Sequence, residues 1–88
     1  APLDPYVRSG EINSEVADIK AVMAAVERHY SAAGATIDKL DGLTVEFPDW
    51  WFNLRASNTQ PLLRLNVEAP NDDELRAKTD EVLALVRG

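Results

Sequence analysis

Trp50-Trp51-Phe52-Asn53-Leu54-Arg55-Ala56-Ser57-Asn58-Thr59-Gln60-Pro61-Leu62-Leu63-Arg64-Leu65-Asn66-Val67-Glu68 reads as two strands turned back on each other about a polar loop. Side chains on a strand alternate between its two faces. Trp50 to Ala56 therefore points Phe52, Leu54 and Ala56 one way and Trp51, Asn53 and Arg55 the other. After the loop, Leu63, Leu65 and Val67 face a core, while Leu62, Arg64, Asn66 and Glu68 face out. The same alternation brings Arg55 and Arg64 out on one face beside one loop. Two like charges so placed repel unless an anion sits between them.

Working outward from the loop, Pro70-Asn71 ends the sheet. Asn71 with Glu74 three residues on is a capping-box-like start, and Asp72, Asp73 and Glu74 suit the positive end of a helix. Leu75, Thr79, Val82, Leu83 and Val86 form the buried stripe of this helix, and Gly88 closes the chain. Upstream, Ala35 to Leu40 and Leu43 to Phe47 pattern as a hairpin joined by Asp41-Gly42, a type I′ turn signal. Pro48-Asp49 breaks its second strand. Ile19, Val22, Met23, Val26 and Tyr30 make one apolar stripe of a helix that Asp18 caps and Gly34 stops. Tyr6 to Val16 patterns as a strand entering that helix, after a turn-like Arg8-Ser9-Gly10. The expected order is β-α-β-β-β-β-α: an α+β, two-layer domain with an antiparallel sheet and two helices on one face. Its other face stays free.

The 88 residues make one domain with a modest core. A hydrophobic fraction of 45% and a charged fraction of 27% are those of a soluble globular chain. The net charge of −6 opposes a general nucleic-acid binder. No apolar run is long enough for a membrane span, and the N-terminus has no signal-peptide pattern. The absence of cysteine removes disulfides and thiolate metal sites, and fits a reducing, cytoplasmic compartment. Ala1-Pro2-Leu3-Asp4-Pro5 reads as an interdomain linker over residues 1–5, leaving 6–88 as the domain.

The residue types in the loop point to an anion, above all a phosphate. Tight turns converge backbone N–H groups. Ser57, Thr59 and the Asn58 amide add donors, and Asn58 tolerates left-handed backbone. Arg55 and Arg64 add permanently charged forks. A polar hairpin loop with two solvated arginines has the same pattern. His29 reads as a surface residue near a helix C-terminus, and Asp72-Asp73-Glu74 as capping charge rather than metal ligands. Trp50 and Trp51 put one ring on each face, one in the core and the other near the domain edge. Glu11 and Asn13 are polar residues beside a glycine, suited to line an interface. No nucleophile with its base, and no acid–base carboxylate pair, stands out.

The loop and its flanks resemble the C-terminal signature of the α-D-phosphohexomutases, Arg-x-Ser-Asn-Thr-Glu-Pro or Arg-x-Ser-Gly-Thr-Glu-Pro followed by an apolar residue and arginine. Tyr6-Val7-Arg8-Ser9-Gly10-Glu11-Ile12-Asn13, Asp41-Gly42-Leu43 and Val67-Glu68-Ala69 resemble the same family. Asn58 is similar to the phosphomannomutase/phosphoglucomutase branch; phosphoglucosamine mutases more often have glycine there. Gln60 departs from the usual glutamate and removes any ion pair that glutamate would make.

The resemblance implies the fourth domain of an enzyme that interconverts hexose 1- and 6-phosphates through a hexose bisphosphate. It implies a phosphoserine in the first domain and a Mg²⁺ ion bound outside this domain, so that the domain alone does not turn over. It further implies that Arg55, Ser57, Asn58 and Thr59 hold the phosphate not being transferred, with Arg64 as a supporting charge. The partners it implies are hexose phosphates and the other domains of the same chain. The implied fold is that of one half of the TATA-box-binding protein, and DNA binding does not travel with a fold. A module from another class, binding partners through the open sheet face without catalysis, also accommodates the exposed strand residues.

Overall fold

In the computed structural model, which describes residues 6–88, six strands and two helices build two layers. The strands are β1 (Val7–Arg8), β2 (Ile12–Glu15), β3 (Thr36–Asp38), β4 (Leu43–Glu46), β5 (Trp51–Ala56) and β6 (Leu62–Ala69). The helices are α1 (Ile19–Ala32) and α2 (Asp72–Arg87). The sheet is antiparallel and runs β1-β6-β5-β4-β3, with β2 also paired to β6. Both helices lie against one face, which is the expected α+β class. The expected linker at residues 1–5 lies outside the described residues.

The single N-terminal strand expected from sequence is two. Arg8 pairs with Glu68 and Ile12 with Leu65, so Ser9 to Glu11 oppose only Asn66 and Val67. One extra residue in an antiparallel strand is a bulge. Gly10 takes a φ of 73° there, and the Ser9 hydroxyl accepts the Val67 N–H at 2.9 Å where the ladder is interrupted. The bulge reverses the phase of the alternation. Val7 opposes the buried Ala69 and Ile12 the buried Leu65, so both pieces turn an apolar side chain inward. Continuous period-two reading across Gly10 cannot see this.

The Asp41-Gly42 connection is also different. Asp38 is the last β3 residue to pair, opposite Thr44, and Lys39 to Gly42 form a wider loop. Gly42 has a φ of 71°, but among the described residues no non-glycine residue has positive φ, so Asp41 does not take the type I′ geometry, which needs positive φ at both central residues. The Asp38 carboxylate accepts the Leu40 N–H at 2.8 Å instead, and Leu40 is 94% exposed. A local side-chain bond to the backbone has won over the tighter turn.

The core gathers Leu43, Val45, Phe52, Leu54, Leu63, Leu65, Val67 and Ala69 from the sheet with Val26, Tyr30, Val82 and Val86 from the helices. Ala56, expected to face inward, is exposed at the end of β5. Leu75, Thr79 and Leu83 are half-buried. Trp50 is buried just ahead of β5, stacked on Phe47 at 5.1 Å between ring centres, while Trp51 sits on the opposite face. The helix starts are as read. Asp18 accepts the Ala21 N–H at 3.0 Å and Asn71 the Glu74 N–H at 2.8 Å. Tyr30 joins the layers: its ring packs edge-on to Phe52 at 5.2 Å, and its hydroxyl donates to Glu81 at 2.7 Å. Burial, and then that bond to a carboxylate, raise its pKa well above the usual tyrosine value. Among the described residues no helix is long and apolar enough to cross a membrane.

Candidate functional site

The β5–β6 loop stands at one end of the sheet, and the strands that enter and leave it put charge there in register. Arg55 and Arg64 are directly opposite each other across the β5–β6 ladder, and Asn13 of β2 is opposite Arg64 on the other side. Asn13, Arg64 and Arg55 thus form one row across three strands on the face away from the helices. Strand pairing at close range is what makes this row. Both arginines are exposed, with 52% and 45% of their side-chain surface open to solvent.

The loop itself is shaped by its own polar groups. Ser57 N–H donates to the Leu62 carbonyl at 2.9 Å and closes the turn, and Leu62 N–H donates to the Gln60 carbonyl at 2.7 Å. The Ser57 hydroxyl accepts the Thr59 N–H at 3.4 Å, which leaves its own proton free to donate outward. The Asn58 and Gln60 N–H groups take no partner among the described residues, and Asn58, Thr59 and Gln60 are exposed. All five residues expected to bind an anion, Arg55, Ser57, Asn58, Thr59 and Arg64, therefore lie in this loop or in the two strand ends that frame it. Free amides, hydroxyls and guanidinium forks are the donor set that an oxyanion accepts from.

The two arginines do not face each other uncompensated. Asp41 lies 3.7 Å from Arg55 Nη1 and Glu11 lies 3.9 Å from Arg64 Nε. Repulsion between the arginines is offset by these flanking carboxylates, not only by an anion between them as their alternation alone suggested. Sequence reading missed both partners. Asp41 is seen in the sequence as a turn residue, and Glu11 as interface lining; each comes to its arginine from a segment that is not the neighbouring strand in sequence.

Two further residues fix the local geometry. Asn53 Nδ2 donates to the Asp41 carbonyl at 2.9 Å and to Thr44 Oγ1 at 3.0 Å, which ties the β3–β4 loop down beside β5. Gly42 then packs so close that a Cβ there would meet Arg55 Cγ at 2.6 Å and the Leu54 carbonyl oxygen at 2.8 Å. The β3–β4 loop is therefore a wall along the Arg55 side chain.

On the loop's other flank, Gln60, Pro61 and Leu62 share a surface cavity of about 530 Å³ with Asn13, Ser14, Glu15 and Arg87. Arg87 Nε donates to the buried Ser14 hydroxyl at 3.0 Å, so the end of α2 is pinned to β2. His29 is exposed on α1, and Asp72 to Glu74 occupy the first turn of α2; neither is near the loop's arginines in the ladder. Among the described residues no three His, Cys, Asp or Glu side chains converge as metal ligands do.

Comparison with known proteins places this arrangement in context. Residues 11–85 match the family model for the phosphoglucomutase/phosphomannomutase C-terminal domain. The chain is 48% identical to a phosphomannomutase of Escherichia coli over 93% of its length, which is 18% of that protein. It is 46% identical over its full length to a protein named for phosphohexose mutases in Xanthomonas campestris, of which it covers 20%. Among solved structures, a phosphoglucomutase/phosphomannomutase family protein of Burkholderia thailandensis superposes with a TM-score of 0.68 at 28% identity, over 92% of this chain and 17% of that one. The chain thus spans about a fifth of the length of the relatives it matches.

Proposed function

The chain belongs to the phosphoglucomutase/phosphomannomutase family as its C-terminal domain, and on that footing we propose that its β5–β6 loop binds the phosphate of a hexose phosphate that is not being transferred. The observation that carries this reading is the register of Arg55 opposite Arg64 beside a loop with unused amide donors. A phosphate seated over Asn58 and Thr59 would receive backbone and hydroxyl hydrogen bonds from the loop and charge from both guanidinium groups. Such contacts read a phosphate and not a particular sugar face, so either end of a hexose bisphosphate suits the grip. Binding energy taken from the idle phosphate positions the sugar for phosphoryl transfer elsewhere in the enzyme.

In this reading the remaining chemistry belongs to other domains of the same longer chain, in the cytoplasm. The donor serine lies outside this chain. In the same reading, the Mg²⁺ that would balance charge on the transferred phosphoryl group is bound by another domain of that longer chain.

Titration of the 88-residue chain with inorganic phosphate, followed by amide chemical shifts, tests the grip. Shifts confined to residues 55–60 and to Arg64, with an affinity on the order of millimolar, are expected. No response at tens of millimolar overturns the reading. In the full-length mutase, Arg55→Ala should cut kcat/KM by about tenfold to a hundredfold, the size of a lost charge-assisted contact. An unchanged value would favour a partner-binding role for the open sheet face instead.

A further inference from the structure

The carboxylates beside the two arginines form a pattern of their own. Each arginine has one, and each carboxylate comes from a different segment: Asp41 from the β3–β4 loop, Glu11 from the bulge between β1 and β2. The two segments flank the arginine row from opposite sides of the β5–β6 pair. Neither contact is a hydrogen bond, since 3.7 Å and 3.9 Å lie beyond hydrogen-bond reach. The carboxylates are largely open to water, with 78% of the Asp41 side chain and 51% of the Glu11 side chain exposed. Such loose contacts do not orient a guanidinium group. They do neutralise it.

Asp41 is nevertheless kept in place. Asn53 holds its backbone carbonyl, and Gly42 lies against Arg55 and the Leu54 carbonyl, so the carboxylate stays beside Arg55. Glu11 is kept near Arg64 by the bulge, which Ser9 secures through its bond with Val67. Two positive charges and two negative charges leave the row with no net charge from these four groups. An anion that enters must either displace the carboxylates or bind against their field.

We infer that Asp41 and Glu11 are affinity-setting residues of the anion site: built-in counter-ions that compete with a bound phosphate for Arg55 and Arg64 and hold its affinity down. This inference rests on the phosphate-binding reading above. Its sign follows from magnitudes. Exposed ion pairs at this separation are worth a factor of about 1.5 to 5 in equilibrium terms, so removing one carboxylate releases that factor to the incoming anion. Loss of orientation would act in the opposite direction, but pairs without a hydrogen bond have little orientation to lose. A grip of this kind favours a doubly charged phosphate over a singly charged carboxylate, because only the former outbids the resident groups.

The test is a phosphate titration of four versions of the 88-residue chain: wild type, Asp41→Asn, Glu11→Gln and the double variant. Each single variant should bind inorganic phosphate about threefold more tightly and the double about tenfold. The gap between wild type and variants should narrow when ionic strength rises from about 0.02 M to about 0.5 M, because screening removes the competing field. Both substituted side chains are exposed and nearly isosteric, and an unchanged amide spectrum away from the loop confirms the fold of each variant. Unchanged or weaker phosphate binding in the variants overturns the inference while leaving the grip intact. So does a gap that does not respond to salt, since that would report a rearranged loop and not a charge. A wild-type chain that shows no response at residues 55–60 overturns the phosphate-binding reading, and the inference falls with it.

Discussion

Gly42→Ala is the substitution that most directly probes how the site is built. Two separate costs arise at this position. The φ of 71° places any residue with a Cβ in the left-handed region, at about 1–2 kcal/mol. The added Cβ would also meet the Leu54 carbonyl oxygen at 2.8 Å and Arg55 Cγ at 2.6 Å. Arg55 is half exposed and its side chain can swing, but the Leu54 carbonyl belongs to β5 and cannot move without disturbing the ladder. Relieving such overpacking costs about 1–3 kcal/mol more. Gly10→Ala isolates the first cost, because Gly10 has a φ of 73° and open space where its Cβ would go. The unfolded-state gain of a glycine-to-alanine change is common to both and cancels. Urea unfolding should therefore find Gly42→Ala less stable than Gly10→Ala by about 1–3 kcal/mol, and thermal unfolding should show a Tm lower by at least about 5 °C for a domain of this size. The same variant should weaken the phosphate response at Arg55 more than at Thr59, since only Arg55 is pushed aside. Equal losses at the two glycines would refute the idea that the β3–β4 loop is packed as a wall along Arg55.

Two other outcomes follow from contacts away from the site. Tyr30→Phe keeps the buried ring and removes the hydroxyl bond to Glu81; since Glu81 can rehydrate, the loss should be about 1 kcal/mol in urea unfolding at neutral pH. The raised pKa of Tyr30 means that the folded chain holds a proton which the unfolded chain gives up above pH about 10, so stability is fully present below that pH and falls as pH rises beyond it, by up to about 1.4 kcal/mol per unit; Tyr30→Phe should lack that component of the fall. Asn71→Ala leaves the Glu74 N–H without its cap and should cost about 1 kcal/mol, read as a lower urea midpoint with an unchanged slope.

Much of this was legible in the sequence because the signals are local. The alternation in Trp50 to Ala56 and Leu62 to Glu68 tells which side chains share a face, and the ladder confirms that Arg55 and Arg64 share one. The caps at Asp18 and Asn71 depend on a side chain reaching three residues ahead, and both are present. The signature around Ser57-Asn58-Thr59 led to the family that the comparison then showed. The misreadings have two causes, a local side-chain bond that outcompetes a turn signal and a pairing partner far along the chain. Asp38 binds the Leu40 N–H and opens the turn that Asp41-Gly42 signalled. The bulge at Gly10 splits a strand that period-two reading ran straight through, because its pairing partner, Val67, is nearly sixty residues away.

What the sequence determined by itself is the class of the fold and the chemical character of one loop, since strand and helix periods, caps and donor-rich residue types are written within a few residues of each other. What only the tertiary structure decided is the electrostatic setting of that loop. Asp41 and Glu11 reach Arg55 and Arg64 because two distant segments are folded against opposite sides of one strand pair. Charge acts through space, and its partners are set by which surfaces the core brings together. The pair of arginines whose alternation in sequence calls for an external anion already carries two counter-ions of its own.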